Sequence, residues 1–332
     1  DTSYSRYGST LDQSNTFALT NSAQYWYLQT ALGYDRDFGK HSIGGKIFYD
    51  RYESIFNYDL PATNQNMAAS VTYSYGKKYF AEATINRSGD DRYPPGKQFG
   101  WFYAGGLGWD MAKEDFIAHN NSLGWINKIK WRVTYGRTGN DNVGYFTWRE
   151  SYTTSGASVP IYQFGTGRNA VVGAQQNVLA NPNISWEKGD KLNAGVDLSL
   201  FRDHFQLTAE YYNNKYSDLL QVRGKQSTMI GINYPAENIG INRYTGLEFT
   251  ATYQGNYKSF NYFLTGNLTL EKTKVLYMDE IQQTYAWNKR TGQPVGMLFG
   301  YKVDGFIQSQ QEAQTSATFA GYTMQPGDLK YR

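Results

Sequence analysis

Apolar and polar residues alternate along much of this 332-residue chain, with a period of two. Leu192, Ala194, Val196, Leu198 and Leu200 are apolar, whereas Asn193, Gly195, Asp197 and Ser199 between them are small or polar. Phe205, Leu207, Ala209 and Tyr211 repeat the pattern after the turn Phe201-Arg202-Asp203-His204, which predicts a hairpin with one apolar face. The same unit predicts strands over 23–38, 42–53, 66–75, 79–88, 100–110, 128–137, 190–200, 204–214, 244–253 and 257–271, and an eleventh from near Met297. Most of these are longer than the soluble mode of about 5–6 residues. They match the roughly 9–11 that a tilted strand needs to cross a bilayer.

The connections alternate in length. Tight turns are expected at Gly39-Lys40, Gly76-Lys77-Lys78, Arg202-Asp203 and Gln254-Gly255, and long ones at 51–66, 89–99, 138–189, 215–243 and 272–296. Outer-membrane barrels show this asymmetry, with short periplasmic turns and long external loops. The one exception to the parity, 111–127, holds Met111–Ile117, which reads as a helical turn on the periplasmic side. Within the strands, Lys128, Lys130 and Arg132 alternate with Ile129, Trp131 and Val133. Charge on a lipid face at mid-depth costs about 2–4 kcal/mol, so Lys130, Arg132, Glu82, Asp197, Glu210 and Glu248 are expected in the lumen.

Composition agrees with this picture. The chain has 30 Tyr, 18 Phe, 8 Trp and 34 Gly against 8 Pro, which suits strands and turns. Only 18% of residues are charged, against about 25% in ordinary soluble domains. A net charge of +3 is too small to argue for nucleic acid. No cysteine is present, so disulfides and thiolate metal sites are excluded. No run approaches the roughly 18 apolar residues of a membrane helix. Asp1-Thr2-Ser3-Tyr4 lacks the features of a signal peptide, and the start reads as an internal cut.

Catalytic chemistry is not assembled. Gly165-Thr166-Gly167-Arg168-Asn169-Ala170 fits a dinucleotide pattern but is expected mid-loop, with neither the strand before it nor the helix after it. His41, His119 and His204 share no metal-ligand spacing. Asp90-Asp91 and Asp279-Glu280 are paired carboxylates in external loops, suited to calcium or sugar hydroxyls if they are not simply solvated. No cofactor and no metal is expected, and the chain does not read as an enzyme. The segment 138–189 is the most distinctive: Tyr145, Trp148, Arg149, Tyr162 and Arg168 are the candidate substrate-binding residues, because exposed aromatics beside guanidinium groups stack on and hydrogen-bond a ligand. A loop that packs on itself or on a partner explains the same composition.

A series of motifs carries a family resemblance. It begins with Phe80-Ala81-Glu82-Ala83-Thr84-Ile85-Asn86-Arg87-Ser88-Gly89, Arg92-Tyr93 and Phe99-Gly100-Trp101-Phe102, followed by Gly108-Trp109 and Glu114-Asp115-Phe116. Trp131–Asn140, Asn181-Pro182-Asn183-Ile184-Ser185-Trp186-Glu187-Lys188, Asn193–Asp197, Tyr211–Lys215 and Asp218-Leu219-Leu220 come next. Asn238-Ile239-Gly240-Ile241-Asn242, Gly246-Leu247-Glu248, Gly292–Gly296, Gly300-Tyr301-Lys302, Asp304-Gly305 and Pro326–Tyr331 complete it. In this order, over roughly residues 80–331, the chain resembles the barrel of SusC/RagA-type TonB-dependent transporters.

The resemblance implies an all-β transmembrane antiparallel β-barrel, of which this chain supplies about 10–11 strands of about 22, closed around an N-terminal plug. Residues 1–332 then read as one partial barrel without the plug, the TonB-contacting segment and the C-terminal strands. It further implies location in the bacterial outer membrane and active import of a glycan oligosaccharide or peptide. The implied partners are a SusD-like surface lipoprotein lid, TonB and the lipid bilayer. A barrel that anchors a surface assembly is the competing role.

Overall fold

The computed structural model describes residues 3–4, 21–57, 60–154, 159, 161–167, 169–318 and 321–331. Ten long strands form one antiparallel sheet whose spatial order follows the chain. They are β1 (Ala23–Phe38), β2 (His41–Phe56), β3 (Ala62–Tyr75), β4 (Tyr79–Asp90), β5 (Phe99–Asp110), β6 (Ile126–Asn140), β7 (Glu187–Leu200), β8 (Phe205–Val222), β9 (Ala236–Tyr257) and β10 (Phe260–Tyr277). All ten expected strands are present.

The ladder keeps the two faces of the sheet separate. Leu192 stands opposite Tyr135, Ala194 opposite Val133, Val196 opposite Trp131 and Leu198 opposite Ile129. The intervening set pairs Asn193 with Thr134 and Asp197 with Lys130. Because side chains alternate, one face of the sheet carries a broad apolar band and the other is polar. Leu32 is 71% exposed, Leu107 63% and Leu264 73%. An apolar surface of this extent faces lipid and not water. The opposite face is the lumen, and Glu82, Lys130, Arg132, Asp197, Glu210 and Glu248 share it, as the alternation demands. There Arg132 pairs with Glu210 and lies 3.5 Å from Asp197, so the lumen charges largely neutralise one another.

The two ends of the sheet differ. At one end, Gly39-Lys40, Gly76-Lys77-Lys78, Phe201–His204 and Lys258-Ser259 close hairpins. At this same end the connection 111–125 forms helical turns at Met111–Lys113 and Asp115–Ala118, where one was expected, and a further one at Asn121–Leu123. Glu114 anchors it by accepting from Tyr79 Oη at 2.6 Å, Trp109 Nε1 at 3.1 Å and Lys78 Nζ at 3.3 Å. The longest connection, 141–186, is at the opposite end.

Two expectations need correction. No strand begins at Met297; the chain next forms Val303–Phe306, which pairs with Leu329–Tyr331 in a separate hairpin and not with β10. Nor is Gln254-Gly255 a turn. The ladder runs on to Tyr257 opposite Phe260, and the ring of Tyr262 occupies the space where a side chain on Gly255 would sit. The 215–243 connection is also shorter than expected, because β8 and β9 extend well beyond their alternating portions.

Candidate functional site

Most buried apolar side chains of the strand sheet collect at its loop end. Tyr93, Phe102, Val143, Ile184 and Trp186 form a cluster, with Trp148 and Leu220 packed against it. Tyr93 stacks on Trp186 at 5.1 Å between ring centroids, and Phe102 meets the same indole edge-on at 5.4 Å. Such pairs add about 0.5–1.5 kcal/mol beyond area burial. Gly139 sits where the Phe102 ring crosses β6, leaving no room for a side chain.

A charged clamp sits beside this cluster. Arg92 Nη2 lies 2.6 Å from Asp90 Oδ2 and 2.7 Å from Asp141 Oδ2, and its Nη1 donates to the Val143 carbonyl at 3.4 Å. Hydrogen bonding to Asp90 holds the Arg92 guanidinium above its ordinary value, while burial pushes the Asp141 carboxyl up. Amide clasps complete the base. Asn238 accepts from Ser185 N at 2.8 Å and donates to the Ser185 and Asp218 carbonyls at 2.7 and 2.8 Å. Asn181 donates to the Ala236 carbonyl at 2.7 Å, and Glu187 accepts from Leu220 N at 2.8 Å. The motif residues Arg92-Tyr93, Asn181–Glu187, Asp218–Leu220 and Asn238, far apart in sequence, thus meet in one knot that fixes where the 141–186 loop leaves the barrel.

The five candidate binding residues are not brought to a single point. Tyr145 donates to Asp91 at 3.2 Å, and burial, followed by the Asp91 charge, pushes its phenol up to about 12. Trp148 packs on the cluster, with the Arg149 guanidinium 4.3 Å over its ring. Arg149 itself is exposed, with no carboxylate within ion-pair distance among the described residues. Tyr162 is 54% exposed on the hairpin Ile161–Phe164/Asn169–Val172. Arg168 lies outside the described residues.

The paired carboxylates prove to be internal clamps. Asp90 is held by Arg92 and by Asn64 at 2.5 Å, and Asp91 by Thr63 N at 2.8 Å. Asp279 is buried near Lys225, and Glu280 accepts from the Arg290 and Thr291 amides at 2.9 and 3.0 Å. The Gly165 segment is a hairpin turn; contrary to expectation a strand does precede it, but a second strand follows where a phosphate-binding site needs a helix. His41 bonds Tyr73 and His204 the Gln254 carbonyl, and His119 is exposed. Among the described residues no cluster of His, Cys, Asp and Glu is placed to hold a metal.

One exposed pair was missed from sequence. Tyr285 and Trp287, in the connection after β10, stack at 4.5 Å with ring planes 9° apart, and are 52% and 68% exposed. The signal available was two aromatics one residue apart in a loop otherwise noted only for its acids.

A ten-stranded antiparallel sheet with a lipid-facing apolar band, a charged lumen face and clamped loops at one end defines an outer-membrane β-barrel. The chain belongs to the TonB-dependent receptor family: the family described as "TonB dependent receptor-like, beta-barrel" matches residues 1–329. It is 27% identical over 272 residues to TonB-dependent receptor P3 of Formosa agariphila, covering 78% of this chain and 26% of that protein. With TonB-dependent receptor SusC of Bacteroides thetaiotaomicron it shares 26% identity over 210 residues, 62% of this chain and 20% of the relative. The chain therefore spans about a quarter or less of these relatives. The RagAB peptide importer in its open-open state superposes with a TM-score of 0.66 at 15% identity, over 87% of this chain and 35% of that one, which bears on fold alone.

Proposed function

We propose that this barrel serves TonB-dependent import of a large polar nutrient, a glycan oligosaccharide or a peptide, beneath a SusD-type surface lipoprotein. The observation that carries the reading is the pairing of a charged, hydroxyl- and amide-lined lumen face with an aromatic loop locked to the barrel rim. A polar route suits a hydrated cargo, and a rigid loop base orients ligand contacts with little ordering cost. Relatives named as TonB-dependent receptors lean the same way. Arg149 and Tyr162, with Tyr145, Trp148 and Arg168, are the proposed contacts, joined by the Tyr285–Trp287 pair as an aromatic platform. An exposed guanidinium over an indole offers flat hydrogen-bond donors to carboxylates, amides or sugar hydroxyls.

The test uses the full-length receptor in its own cells. Asn177 N bonds the Ser151 carbonyl at 3.0 Å, so residues 152–176 can be excised and the ends joined without disturbing the knot. The excision combined with Arg149→Ala is expected to cut uptake of labelled oligosaccharide or peptide at least tenfold while a surface lipoprotein still co-purifies. Unchanged uptake with loss of the co-purifying partner would instead mark the barrel as an assembly scaffold.

A further inference from the structure

The outward face of β6–β10 changes from apolar to cationic toward its loop end. Tyr211, Leu247 and Leu270 are register partners on that face. One outward step toward the loops, the partners are Asn213, Thr245 and Lys272, and one step further they are Lys215, Arg243 and Lys274. Lys215 therefore stands directly opposite Arg243, and Arg243 directly opposite Lys274. Like charges placed this way repel and destabilise a sheet. The neighbouring Arg137 is neutralised by Asp190 at 2.7 Å. Among the described residues no carboxylate lies within ion-pair distance of Lys215, Arg243, Lys272 or Lys274, and all four are exposed. Among the described residues, Arg243 donates from its side chain to the Asn213 side-chain oxygen, at 2.9 Å.

The cationic boundary also has a slope. Ile47, Ala69, Ile85, Tyr103, Arg137, Asp190, Lys215, Arg243 and Lys274 lie on one continuous register row. On β2 that row is still apolar and the cation comes two outward positions later, at Arg51; on β4 it comes one later, at Arg87. On β10 a cation appears one position early, at Lys272. Register rows run perpendicular to strands, and barrel strands tilt about 35–45°. A level parallel to the membrane must cross the rows obliquely, in one direction, as these cations do. The edge of the apolar band thus slopes across the rows in the direction that tilt requires.

We propose that the row Lys215–Arg243–Lys274, with Lys272 below it, binds phosphate-bearing lipid headgroups of the leaflet on the loop side. Asp190, the register partner of Lys215, is already engaged by Arg137, so an anion seated there supplies counter-charge to a row with more cations than carboxylates. Its acyl chains then run down over Tyr211, Leu247 and Leu270, which is why a lipid fits better than a soluble anion. The proposal is independent of which cargo the barrel carries.

The test measures lipid retention by the full-length receptor in zwitterionic detergent. Native mass spectrometry reads binding of diphosphorylated lipid A and of phosphatidylcholine, with inorganic pyrophosphate as the soluble comparison. Each cation near a charged membrane surface contributes roughly fivefold in affinity. The triple variant Lys215→Gln, Arg243→Gln, Lys274→Gln is expected to lose lipid A on the order of a hundredfold, and Arg243→Gln alone roughly fivefold, with phosphatidylcholine unchanged. Both variants remove repulsion, so unheated gel migration should report a folded barrel. Lipid A binding unaltered by the triple variant overturns the proposal. Pyrophosphate binding as tight as lipid A overturns it too, in favour of a soluble anion.

Discussion

At the residue scale, Arg92 shows how one side chain couples segments separated in sequence. The Asp90 side chain is fully buried, so its charge relies on Arg92 and Asn64. Removing one partner of a buried pair typically costs about 3–5 kcal/mol, because the other charge is left uncompensated. Arg92→Leu is expected to lower stability by about 3 kcal/mol, less if water reaches the cavity. Heat titration followed by gel mobility of the full-length protein measures this, and Asp90→Asn combined with Arg92→Leu should recover part of the loss. The motif Arg92-Tyr93 was legible in the sequence, but its role was not. Composition cannot distinguish an arginine that greets a ligand from one that ties a loop to its base, since both call for a guanidinium beside aromatics. Trp148 makes the same point: it reads as a stacking platform, and it also helps to root the loop, packed on the cluster with Arg149 over its ring.

At the element scale, the strands were legible wherever they lie in lipid and poorly bounded outside it. The alternating portion 244–253 predicted β9, but the strand spans Ala236–Tyr257. Beyond the membrane both faces meet water or loop, so the ladder continues without an apolar signal to mark it. Gly255 misled in the opposite sense, because a glycine that makes room for an aromatic ring looks like a glycine that makes a turn. The β7–β8 turn was placed correctly. It holds three consecutive non-glycine residues in the left-handed region, Phe201, Arg202 and Asp203, with φ of 57°, 56° and 66°. A β-branched residue is least able to adopt that conformation. Arg202→Val should therefore destabilise the hairpin by about 1–2 kcal/mol, whereas Arg202→Gly should be tolerated; the folded fraction on unheated gels compares them.

At the scale of the whole molecule, the sheet sorts its side chains by solvent with few exceptions. Leu107 lies between Tyr103 and Trp109 on the outward face, and the adjacent row places Thr134 opposite Gly106 in the lumen. Leu107→Lys is expected to cost about 2–4 kcal/mol, as for any charge near the bilayer midplane. Thr134→Lys, on the wet face beside Glu82, should cost under about 1 kcal/mol. Equilibrium refolding into vesicles measures both, and equal costs would contradict the assignment of faces. This sorting is also why fold class was the most legible property of all: it needs only the period, which the chain carries in every strand.

The knot at the loop end has a mechanical consequence. Through side chains it ties the ends of β4, β5, β6, β7, β8 and β9 to one another. A pull on the 141–186 loop is therefore shared among several strands instead of peeling one of them from the sheet. Unzipping a ladder breaks its bonds one at a time, whereas loading many at once requires them to fail together.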